Sequence, residues 1–156
     1  MPPVVFLDVD GVVSALSSRH AFGDGRKLVL DGFSLTLSRR LGARLASLSA
    51  DIVWLTTWGQ KANEVGRRVG LPELPVAALP PVGGAADGAW KFEAVREYSS
   101  TAGRPWVWID DNAISRQAEA WAEAQQFRSL LVRPAANRGL SPEEMDSIED
   151  WILEAS

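Results

Sequence analysis

Five short, uninterrupted apolar runs constrain the fold of this chain more than any other feature. Val4-Val5-Phe6-Leu7, Ile52-Val53-Trp54-Leu55, Val76-Ala77-Ala78-Leu79, Trp106-Val107-Trp108-Ile109 and Leu130-Leu131-Val132 are each bounded by polar or turn-forming residues. A run that is apolar at every position reads as a strand buried on both faces, as in a parallel sheet covered by helices. The intervals carry helical spacing: Leu37, Leu41, Leu45 and Leu48 form one stripe, and Ala62, Val65 and Val69 another. Two further helices are predicted over about 88–99 and 114–125. A last helix follows Ser141-Pro142-Glu143-Glu144, where a serine cap, a first-turn proline and a glutamate three residues after the serine make a capping box. Strands alternating with helices predict a wound α/β fold around a central, mainly parallel five-stranded sheet.

At 156 residues the chain is long enough for one buried core and too short for two ordinary domains, so 1–156 is read as a single domain. The stretch from Ser14 to Leu30 is interrupted by Gly23 and Gly25 and has no steady apolar period, which predicts an irregular loop or hairpin. Residues 80–88, rich in proline and glycine, read as a loop into the next element.

Absence of cysteine excludes disulfide and thiolate chemistry, and the single histidine, His20, cannot build a multi-histidine zinc site. Any metal should therefore be held by oxygen. A net charge of −4 gives no global support for wrapping a polyanion. No apolar run approaches the roughly 20 residues that cross a bilayer, and the amino terminus meets acidic residues at once, unlike a secretory signal. The expected location is the cytoplasm, with no membrane partner.

Chemistry concentrates where the apolar runs end. Asp8-Val9-Asp10-Gly11 follows the first run directly, at the carboxyl edge where open α/β sheets bind ligands. Strand alternation sends Asp8 and Asp10 to the same side, Gly11 permits a sharp turn, and two such like charges call for a cation. A calcium loop is disfavoured because Val12 stands where a third oxygen ligand is needed; a plain aspartate turn is the stronger rival. The second run leads into Thr56-Thr57, hydroxyls and amides suited to phosphate, and the fourth into Asp110-Asp111-Asn112, a second acidic pair. Between them Lys91 lies near a predicted helix start, where the helix dipole does not favour a lysine. Taken singly, Thr56 and Thr57 are ordinary strand-end residues, Lys91 a solvated charge, and Asp110-Asp111 a cap. Their order, each at the end of its element, is what carries information.

Together these residues resemble the haloacid dehalogenase (HAD) superfamily of phosphohydrolases, whose motifs are Asp-x-Asp, Thr or Ser, Lys, and an acidic pair, here spanning residues 8 to 111. The second aspartate, Asp10, matches the phosphatase branch. Leu55-Thr56-Thr57-Trp58 and Trp90-Lys91 are similar to the small HAD-type domains of bacterial RNA-repair proteins. The resemblance implies a Rossmann-like three-layer sandwich and a Mg²⁺-dependent phosphomonoesterase. It implies Asp8 as nucleophile through an aspartyl-phosphate, and Asp10 as acid and then base. Thr56 and Lys91 would hold the transferring phosphoryl group, with the Val9 and Thr57 amides and Trp58 as further substrate contacts. Mg²⁺ would be bound by the Asp8 carboxylate, the Asp10 carbonyl and Asp111, with Asp110 behind them.

Neither interval that could hold a cap domain has room for a sizeable one, which predicts an open site able to admit a large phosphorylated substrate, a nucleic-acid end included. Alternatives are a polynucleotide-end phosphatase and a non-catalytic phosphate- or metal-binding module. Of seven tryptophans, Trp54, Trp106, Trp108, Trp121 and Trp151 are expected to be core, while Trp58 and Trp90 adjoin motif residues where a base or sugar could stack. Arg19, His20 and the pairs Arg39-Arg40 and Arg67-Arg68 are read as solvated surface that could meet an anion.

Overall fold

The computed structural model describes residues 1–83 and 88–156, so part of the expected 80–88 loop lies outside the described residues. In chain order its elements are β1 (Val4–Leu7), β2 (Arg26–Leu30), β3 (Phe33–Leu37), α1 (Arg39–Ala46), β4 (Asp51–Trp54), α2 (Ala62–Val69), α3 (Ala89–Ala102), β5 (Trp106–Ile109), α4 (Arg116–Ala124), β6 (Ser129–Val132) and α5 (Pro142–Ala155). The central sheet is parallel, with strand order β4-β1-β5-β6.

Because β1, β4 and β5 are apolar at nearly every position, alternate residues feed opposite layers. Val5, Leu7, Trp54, Val107 and Ile109 join Leu41 and Leu45 of α1, Val65 and Val69 of α2, and Met145 and Ile148 of α5 in one core. Val4, Phe6, Val53, Trp106 and Trp108 pack with Phe92 and Val95 of α3 and Ala118 and Ala122 of α4 in the other. The result is a three-layer sandwich. Trp54, Trp106 and Trp108 are fully buried; the Trp54 indole N–H donates to Asn63 Oδ1 at 2.9 Å, whereas those of Trp106 and Trp108 meet no acceptor among the described residues, which offsets part of the gain from removing their apolar surface from water. Trp121 and Trp151 pack against the two cores while half-buried. Arg44 ties α1 to α5 by pairing with Asp146 at 2.7 Å and Glu149 at 2.9 Å. The capping box at Ser141 and Glu144 is present and begins α5.

The sheet has four strands rather than five. Val76 makes one bridge to Trp54, with Trp54 N donating to Pro75 O at 2.9 Å and Ala77 N donating to Trp54 O at 2.8 Å. The pairing does not extend backward because Pro75 has no amide to offer the ladder, and it does not extend forward because β4 ends at Trp54 and Leu79 turns out to solvent. Leu37 also departs from the expected helical stripe. It ends β3, and the helix starts after Ser38, whose hydroxyl accepts from Leu41 N at 3.0 Å.

Within the glycine-interrupted stretch the chain is irregular up to Gly25 and then forms an antiparallel hairpin, β2–β3. Its turn is Asp31-Gly32, both with positive φ (50° and 81°), as a two-residue hairpin connection of matching twist requires. His20 is not surface, as expected from sequence, but buried. Phe22 N donates to its Nδ1 and its Nε2 faces Val13 O, so the ring is neutral, and burial holds its pKa below the usual histidine value.

Candidate active site

Leu7 stands opposite both Trp54 and Ile109, so β1, β4 and β5 end at one edge and release Asp8, Thr56 and Asp110 side by side. After Asp8 the backbone coils tightly: Val12 N and Ser14 N both donate to Val9 O, and Gly11 N donates to Ser14 O. Gly11 takes φ +78°, and a Cβ there would lie 2.5 Å from the carboxylate carbon of Asp111. Only glycine satisfies both the turn and that approach. The first acidic pair and the second are thereby pressed together.

Asp8 is buried, its Oδ1 accepting from Val9 N at 2.8 Å and its Oδ2 lying 3.1 Å from Lys91 Nζ. Asp110 is fully buried; Oδ2 meets Lys91 Nζ at 2.7 Å, and Oδ1 accepts from Asn112 N and Ala113 N. Lys91, in the first turn of α3, therefore bridges two carboxylates from neighbouring strands. Burial alone would lower its pKa, but Asp8 and Asp110 outweigh that and raise it. Burial, and then the nearby Asp110, push the Asp8 carboxyl up to about 7 against the opposing pull of Lys91. Burial and Asp110 likewise raise Asp111, which is half-buried.

Oxygens of Asp8, Asp110 and Asp111 lie within 4.8 Å of one another. Three carboxylates against one lysine, with two of them held uncomfortably toward protonation, are a donor set that fits a hard divalent cation. Asp110 has both oxygens engaged, by Lys91 and by two amides of the following turn, and Asp8 by Lys91 and Val9 N, while each of the three carboxylates still offers one oxygen to the cluster.

The remaining residues singled out from sequence border this cluster. Thr56 is fully buried, its Oγ1 accepting from Trp58 N at 3.3 Å, while Thr57 is exposed. Trp58 donates from Nε1 to Asp10 Oδ2 at 3.0 Å, and its ring meets Phe33 of the hairpin edge-on at 5.5 Å. Sequence reasoning missed this link between hairpin, tryptophan and aspartate; the Asp31-Gly32 turn was the signal that could have placed the hairpin. Thr57 lines two cavities. One, of about 260 Å³, is shared with Asp10, Asp31, Phe33, Trp58 and Lys61. The other, of about 540 Å³, is bordered by Trp90, Lys91, Asn112 and Ser115. Arg19 is exposed and is not among the residues that border either.

A three-layer α/β sandwich presenting an Asp-x-Asp loop, a threonine, a lysine and an acidic pair at one sheet edge defines a HAD-type, phosphohydrolase-like domain. The family model for the HAD domain in Swiss Army Knife RNA repair proteins matches residues 4–145, and the chain belongs to that family. No curated protein and no solved structure matches it. Among the described residues no helix is long and apolar enough to cross a membrane.

Proposed function

We propose that the protein is a Mg²⁺-dependent phosphomonoesterase acting through an aspartyl-phosphate on Asp8. The observation that carries this reading is the lysine-bridged carboxylate cluster at the sheet edge, with Asp10 just outside it and open to a cavity. Asp8 attacks phosphorus, the bond to the leaving oxygen breaks, and Asp10 gives that oxygen a proton. Water then attacks the aspartyl-phosphate and yields its proton to Asp10, which frees phosphate and regenerates Asp8. Lys91 and the Thr56 hydroxyl hold the phosphoryl oxygens, with the Thr57 amide as a further donor. Val9 N, engaged with Asp8 Oδ1, instead fixes the nucleophile until phosphate competes for it. Asp110 orients Lys91. Mg²⁺, when bound by the Asp8 carboxylate, the Asp10 carbonyl and Asp111, supplies the positive charge that favours an ionised Asp8 and offsets charge on the phosphoryl group.

Membership of an RNA-repair family and the open, aromatic-lined cavity beside Asp10 favour a polynucleotide end as the phosphate carrier. The test is phosphate release, with Mg²⁺ and with chelator, from p-nitrophenyl phosphate, nucleotides, sugar phosphates, phosphopeptides and end-phosphorylated oligonucleotides. Mg²⁺-dependent release that is strongest on oligonucleotides supports both levels of the reading. Failure on every ester would reduce the protein to a phosphate- or metal-binding module.

Trp58 is assigned to position Asp10. Trp58→Phe keeps an aromatic ring against Phe33 but removes the N–H that holds Oδ2, a charge-assisted bond of about 1.5–3 kcal/mol. Turnover should fall by about tenfold with little change in KM. An unaltered kcat would show that Asp10 is held by something else.

A further inference from the structure

Four arginines converge in one groove at the root of the β2–β3 hairpin. Arg26 of β2, Arg39 at the start of α1, and Arg67 and Arg68 in the last turn of α2 line a cavity of about 550 Å³ floored by Leu28. All four are exposed, and none forms an ion pair among the described residues. Asp24 borders the groove, but its carboxylate accepts from the Ser38 hydroxyl and Arg40 N. On a chain of net charge −4 this concentration of unpaired positive charge makes a local field that attracts anions.

The groove is aligned with the proposed site. At the hairpin tip Asp31 pairs with Lys61, just before α2, and Phe33 touches Trp58; at the hairpin root Arg26 shares the groove with Arg67 and Arg68 at the end of α2. The hairpin thus borders both openings, with Lys61 just before α2 at one and Arg67 and Arg68 of its last turn at the other. The hairpin strand spans about 14 Å and α2 about 12 Å, so the two openings are separated by roughly that length. Rings beside the reaction centre and guanidinium groups further along are the arrangement that binds a single-stranded polyanion with stackable units.

We infer that the seam between the hairpin and α2 is the path of a single-stranded nucleic acid whose terminal phosphate enters the Asp8 site and whose backbone phosphates reach Arg26, Arg39, Arg67 and Arg68. This rests on the polynucleotide-end reading above. The test uses the full chain, a variant combining Arg26→Ala, Arg67→Ala and Arg68→Ala, and its Arg→Lys counterpart. Substrates are p-nitrophenyl phosphate, a phosphorylated mononucleotide and an end-phosphorylated single-stranded RNA of about twelve nucleotides. The alanine variant should match wild type on the two small esters. On the RNA it should lose at least about tenfold in kcat/KM through KM, with the salt dependence of log KM flattened by about 2, from roughly 0.7 for each backbone phosphate no longer neutralised. The lysine variant should recover part of this loss. RNA binding measured by fluorescence anisotropy reads the groove separately from hydrolysis. Equal RNA affinity in wild type and alanine variant would overturn the proposal even if both release phosphate. Competition by polyglutamate as strong as by RNA would overturn it too, by assigning the groove to acidic proteins. Failure of the phosphatase reading would instead appear as wild type inert on every ester.

Discussion

Asp8→Asn should lower phosphate release by at least about 10⁴-fold while the protein remains folded, since removal of a nucleophile has effects of that order and more. The expectation of an intact fold follows from the surroundings of the side chain. Burial and Asp110 already push the Asp8 carboxyl up to about 7, so the negative charge that a neutral isostere removes is one the site already disfavours. The amide oxygen of asparagine can still accept from Val9 N, and Lys91 keeps Asp110 as its partner. Steady-state turnover and a urea unfolding curve, measured on one preparation, check both halves. Near-normal turnover in pure variant protein would remove Asp8 from the chemistry; an unfolded variant would mean that Asp8 is needed for structure.

Lys91→Met should be damaging in two separable ways. Among the described residues Lys91 is the one cation between Asp8 and Asp110, and all three side chains are buried. Breaking a buried pair by removing one partner costs about 3–5 kcal/mol, because the charge left behind is uncompensated. In the presence of chelator the variant should show that loss as a lowered urea midpoint, and saturating Mg²⁺ should recover part of it. Turnover, measured where the variant is folded, should fall by about 10²–10³, the usual effect of removing a preorganised charge from a transition state. Wild-type stability in chelator would show that the carboxylates are balanced by another group. Wild-type turnover would remove Lys91 from the phosphoryl contact.

What could be read in the chain, and what could not, divides along physical lines. β1, β4, β5 and β6 were legible because strands sandwiched between helices carry apolar side chains on both faces, and few other elements do. Val76–Leu79 carries the same signature, yet Pro75 withholds a ladder amide and β4 ends at Trp54, which leaves a single bridge. The stretch from Ser14 to Leu30 was readable as an irregular loop or hairpin, but β3 was not, because Leu37 reads equally as the start of a helical stripe, although Asp31-Gly32 names the turn. At the site, the order of Asp8, Asp10, Thr56, Lys91, Asp110 and Asp111 was readable because each lies at or close to the end of an element. Contacts across the chain were not readable: the Trp58 bond to Asp10, the approach of Asp111 to Gly11, and the convergence of Arg26 with Arg67 and Arg68 all join residues far apart in sequence.

The hairpin also bears on turnover. Its tip is held by Asp31 on Lys61, an exposed pair that salt weakens, by one ring edge on Trp58 and by Leu30 against the core. Many phosphatases swallow a small metabolite and must reopen a lid before each new cycle. On the proposed nucleic-acid path, a two-stranded flap would let a long chain be threaded sideways and leave without waiting for a domain to swing. The pace of each round would then be set by bond-breaking or by the grip on the spent strand, and raised ionic strength should quicken the second.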